Sequence, residues 1–178
     1  SLPARFTMSG TIDRYSAGRV YCGYSSRPEV NDSSAADSML PMTPGTSRTT
    51  ASTIASASFD GSADVILTAS GNIELVGVKA NDNATLTSTA GAIDGATVIA
   101  NNGAAMLKAE AGFIANTAVE AGGAATVKAG TDVSGASVTA GGIVTITAGG
   151  TIQGTSALGG ASMLLTAGTE IDGSDFTA

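Results

Sequence analysis

The sequence predicts an all-β protein, a three-sided parallel β-solenoid with coils of about twenty residues. Three observations carry this. From about Val65 to Ala178 the chain repeats itself every nineteen to twenty-one residues. Each repeat holds three aliphatic positions flanked at spacing two by small apolar residues, the period of a strand and not of a helix. Gly and Asn recur between those positions, where a corner needs residues that accept positive φ.

The first ladder of aliphatics is Leu67, Leu86, Leu107, Val127, Ile146 and Leu165. Six or seven residues later comes the second: Ile73, Ile93, Ile114, Val133, Ile152 and Ile171. Five further on comes the third: Val78, Val98, Val119, Val138, Ala157 and Phe176. Residues between the inward positions are mostly polar. Thr68, Thr87, Lys108, Lys128, Thr147 and Thr166 form one outer column; Glu74, Asp94, Ala115, Ser134, Gln153 and Asp172 form another. Each repeat therefore reads as three short strands with an apolar inside and a polar outside.

Glycines fall at the strand ends. Gly71, Gly91, Gly112, Gly130, Gly149 and Gly168 separate the first and second ladders. Gly95, Gly135, Gly154 and Gly173 follow the second, with Leu75 and Asn116 as exceptions. The same glycines exclude a helical repeat, since each costs about 1 kcal/mol in a helix. Ile54 and Phe59 extend the pattern backwards, so a partial coil is expected from near Thr50, giving roughly six and a half coils. A single coil buries too little to stand alone, so each depends on its neighbours.

Residues 1–50 differ in composition from residues 51–178. All four prolines, all three tyrosines and all five arginines lie there, for a formal charge of +1 against −8 in the remainder. Arg5–Ile12 and Arg19–Tyr24 read as short strands, and Ser25–Thr50 as a loop or linker. The segment is expected to be a cap or docking piece covering the first rung, with residues 51–178 as the solenoid domain. Cys22, the only cysteine, is expected to be a small buried residue of that cap.

Composition narrows the chemistry. The net charge of −7 argues against nucleic acid, and no apolar run is long enough for a membrane helix. Without His, Ser–His–Asp and Cys–His catalysis are impossible and zinc loses its usual ligand. Glu74 and Asp94 share one outer column, and Glu170, Asp172 and Asp175 gather near the end, but a solvated face explains both. No cofactor, metal or catalytic residue is assigned. The Thr columns raise an ice-binding surface, which Lys108 and Lys128 interrupt. Asn31-Asp32-Ser33 and Asn83-Ala84-Thr85 match the glycosylation sequon.

Two stretches, Ser137-Val-Thr-Ala-Gly-Gly-Ile-Val-Thr-Ile-Thr-Ala-Gly-Gly-Thr-Ile-Gln-Gly and Leu164-Leu-Thr-Ala-Gly-Thr-Glu-Ile-Asp-Gly, resemble the haemagglutinin repeats of the filamentous haemagglutinin family. That family comprises large two-partner-secreted bacterial exoproteins, and the resemblance covers about residues 65–178. It implies a right-handed parallel β-helix, secretion to the bacterial surface, and an adhesive or scaffold role. The expected function is therefore non-enzymatic and extracellular: a rigid part of a surface adhesin, or a filament subunit stacking end to end. A polysaccharide-binding or polysaccharide-cleaving β-helix is the alternative. Expected partners are a second copy or flanking repeats, and surface glycans or a host receptor. For end-to-end contact the expected residues are Tyr21, Cys22, Tyr24, Phe176 and Ala178, where an open parallel edge is a template for another chain.

Overall fold

The computed structural model describes residues 45–178. The expected cap, with the strands expected at Arg5–Ile12 and Arg19–Tyr24 and the residues Tyr21, Cys22 and Tyr24, lies outside the described residues. What is described is a β-solenoid of seven coils, in which three seven-stranded sheets run parallel along the stack. Sheet 1 comprises Ser47–Ala51, Val65–Ala69, Ala84–Ser88, Ala105–Ala109, Ala125–Ala129, Val144–Ala148 and Met163–Ala167. Sheet 2 is built from two-residue strands, from Ile54–Ala55 in coil 1 to Ile171–Asp172 in coil 7. Sheet 3 runs from Ser58–Gly61 to Asp175–Thr177.

Every coil pairs with the next in one register. Leu67 sits on Leu86, Leu86 on Leu107, and Leu107 on Val127. In sheet 2 Ile73, Ile93, Ile114, Val133, Ile152 and Ile171 stack, and in sheet 3 Phe59, Val78, Val98, Val119, Val138, Ala157 and Phe176 do. Like residues thus lie on like, as the repeat predicts.

The ladders meet inside as one core. Leu86, Ile93, Leu107, Ile114, Val127, Val133, Ile146 and Ile152 have no solvent exposure. Alanines two residues away, such as Ala69, Ala109 and Ala125, fill the space between them. In coil 7, the last described, Leu165 and Phe176 pack partly buried against this core, while Ile171 is 45% exposed.

The first strand begins at Ser47, three residues before the expected start, and coil 1 is complete. Its place in the first ladder is taken by Thr49, which is buried against Leu67. Aliphatic periodicity alone does not detect a threonine in a core column, which is why the pattern reads as half a coil.

Coil length varies between eighteen residues (Ser47 to Val65) and twenty-one (Ala84 to Ala105). The variation is confined to two corners. The corner from sheet 2 to sheet 3 is two residues long in every coil, Ser56-Ala57 through Gly173-Ser174. The corner from sheet 1 to sheet 2 grows from Ser52-Thr53 in coil 1 to four residues in coils 3 and 4, Thr89 to Ala92 and Glu110 to Phe113. The return corner lengthens only in coil 3, at Asn101 to Ala104.

Candidate functional surfaces

Outward side chains lie in straight columns because the register never shifts. Sheet 1 presents two of them. One is the Thr and Lys column expected from the sequence, Thr68, Thr87, Lys108, Lys128, Thr147 and Thr166, preceded by Thr50. The other was not picked out there: Arg48, Ile66, Thr85, Met106, Thr126, Thr145 and Leu164. Its signal was present, since each of these residues immediately precedes a first-ladder position and so faces the opposite way. Its mixed composition hides it. Threonine holds eight of the fourteen positions on this face, but Ile66, Met106, Leu164, Arg48, Lys108 and Lys128 break the grid. Lys108 Nζ lies 2.7 Å from Glu110 Oε1 at the exposed edge, a pairing worth little in water.

On sheet 2 the expected acidic neighbours are neighbours: Glu74 pairs in register with Asp94. Each carboxylate is covered by an amide. Asn72 Nδ2 donates to Glu74 Oε1 at 2.8 Å, and Asn116 Nδ2 donates to Asp94 Oδ1 at 2.9 Å. The column continues through Ala115, Ser134 and Gln153, so the acids remain a pair. Glu170, Asp172 and Asp175 occupy a corner, sheet 2 and sheet 3 respectively. Among the described residues no three His, Cys, Asp or Glu side chains converge as metal ligands would.

Sheet 3 is the third face. One of its columns is small, running Ser58, Gly77, Thr97, Ala118, Ser137, Ser156 and Asp175. The other holds Asp60, Lys79, Ile99, Glu120, Thr139, Leu158 and Thr177. Where Ala118 lies between Thr97 and Ser137, an open groove of about 370 Å³ forms, lined also by Ile99, Glu120 and Thr139.

Carboxylates and amides at the corners serve the coil-to-coil joint. Asp64 Oδ1 accepts from the Asn83 backbone N–H at 3.0 Å and from its side-chain amide at 2.9 Å. Asn83 Oδ1 in turn accepts from Ala104 N at 2.9 Å. Asn72 Oδ1 and Asp132 Oδ1 do the same for Ala92 N and Thr151 N. Both ends of the sequon asparagine Asn83 are therefore engaged. Ser88 replaces the alanine of its column; its Oγ accepts from Gly91 N at 3.1 Å and donates to Gly71 O at 2.6 Å.

The chain matches no protein-family model, no curated protein and no solved structure.

Proposed function

We propose that this chain is a non-enzymatic structural segment of a bacterial extracellular protein. It acts as a rigid rod that either spaces the adhesive parts of a surface adhesin or joins end to end as a filament subunit. One observation carries the reading: the strand register is kept at each coil-to-coil joint, so sheets and core propagate along one axis even where corners differ in length. Such a stack sets distance and direction without a hinge. At about 4.8 Å per coil, seven coils advance roughly 34 Å. Any further coil with this spacing, from the same chain or another, continues all three sheets by the same hydrogen bonds. The resemblance to haemagglutinin repeats over residues 65–178 supports the surface location and the scaffold role.

Electron microscopy across a concentration series tests the mechanical part. Particles of fixed width whose length grows with concentration support stacking. Short rods at every concentration remove the filament form and leave the spacer, and rounded or unfolded particles remove both. Antibody labelling of intact cells tests the location: label bound without lysis supports it, and label that needs lysis overturns it.

A further inference from the structure

Two faces of the solenoid carry opposite chemistry at the same height. The sheet 1 face has no acid among its fourteen outward positions, although the solenoid region has eleven acids. It holds Arg48, Lys108 and Lys128. The sheet 3 face holds Asp60, Glu120 and Asp175 against a single Lys79. Their shapes differ in the same complementary way. Met106 stands out of sheet 1 with 43% exposure, whereas sheet 3 is hollowed at Ala118. The protruding pair, Met106 and Lys108, and the receiving pair, Ala118 and Glu120, belong to one coil, the fourth.

We propose that the sheet 1 face of one copy docks laterally on the sheet 3 face of a second copy. Met106 seats in the groove over Ala118, and Lys108 exchanges its exposed contact with Glu110 for Glu120 of the second copy. Coil 4 is the middle of the seven, so these groups come level, and with the second rod inverted the docked strands run the same way, which sets Met106 on Ala118 and Lys108 on Glu120. In that antiparallel arrangement Arg48 in coil 1 comes level with Asp175 in coil 7, in the columns of Met106 and Ala118 respectively. Pairing sheet 1 with itself in the same antiparallel sense would set Lys108 on Lys108, a like-charge contact that disfavours this symmetric alternative.

The contact is heterologous, so a rod can use both faces at once and lateral addition can continue. Its strength is bounded by area. Seven rungs by one five-residue strand cover roughly 500 Å² per partner, below the ~800 Å² of a standard stable interface. Single rods therefore associate weakly, and longer ones hold by many such contacts together. This inference is independent of end-to-end growth and of cellular location.

Sedimentation velocity of the 178-residue chain from micromolar to millimolar concentration, at low and high salt, provides the test. The expected result is reversible association that weakens with salt. Lys108→Glu and Glu120→Lys should each weaken it by about tenfold or more, and the double variant should restore it. Circular dichroism confirms that each variant keeps its β content; these positions are surface ones, and a variant that loses it is replaced by Met106→Ser. A wild-type chain that stays monomeric throughout overturns the proposal, as does association indifferent to both reversals. Capture of the monomer on an anionic polysaccharide resin, abolished by Lys108→Glu but unaffected by Glu120→Lys, also overturns it by assigning the basic face to a glycan.

Discussion

The corner between sheets 1 and 2 and the corner between sheets 2 and 3 both use glycine, for different physical reasons. At the second corner the first residue is left-handed in all seven coils: Ser56, Leu75, Gly95, Asn116, Gly135, Gly154 and Gly173. Gly154 and Gly173 have nothing within 4 Å of where a Cβ would be, so space is not the constraint. Rotation is. Backbone hydrogen bonds from coil to coil pass through this residue regardless of its identity, for example Leu75 N to Asp94 O at 2.9 Å and Gly135 N to Gln153 O at 3.0 Å. At the first corner the case is reversed. Gly130, Gly149 and Gly168 have no positive φ, yet a Cβ on each would overlap the carbonyl oxygen of the coil before it. The first corner is limited by room and the second by dihedral angle.

Substitutions separate the two limits, and the core sets the upper end of the scale. Ile146→Asp puts a charge at a position with no exposure and should cost more than about 4 kcal/mol, melting neighbouring coils with it. Unchanged cooperative thermal unfolding by circular dichroism would contradict that. Gly149→Ala should cost about 1–3 kcal/mol, because the obstructing atom is backbone and cannot rotate aside. A denaturant midpoint equal to wild type would show that the first corner has room after all.

The second residue of the second corner points inward, and in coil 4 it is Thr117, whose buried hydroxyl has no partner among the described residues. Val76 fills the same column fully buried, so Thr117→Val should raise stability by about 1 kcal/mol in the same measurement. Leu75→Gly should raise it by about 0.5–1 kcal/mol: a left-handed leucine is strained, and this one is 69% exposed with little packing to lose. The smallest effect is expected for Gly154→Asn, within about 0.5 kcal/mol, since Asn116 already occupies the equivalent conformation. A loss as large as that of Gly149→Ala would erase the distinction between the corners.

Much of this architecture was legible from residue spacing. Leu67 to Leu165, Ile73 to Ile171 and Val78 to Phe176 named the three sheets because a fixed register turns sequence period into spatial stacking. Leu75 and Asn116 stand out in the sequence as breaks in a glycine column; the structure adds that they keep its backbone conformation. Thr49 was missed because burial of a threonine leaves no hydrophobic mark. The surfaces were less legible. Which outward column lies beside which depends on the number of residues spent in each corner, and the groove at Ala118 depends on side chains from three successive coils, which no single repeat reveals.

The constant second corner has a further consequence. Because every coil spends the same two residues between sheets 2 and 3, the phase between those faces is fixed, while the other two edges already accept added residues without disturbing the ladder. A binding loop grafted after Ala109 or Ala140 would be displayed on the outside of the rod, at a height set by its coil number and a bearing set by its edge. The molecule is thereby a coordinate system for whatever its corners carry.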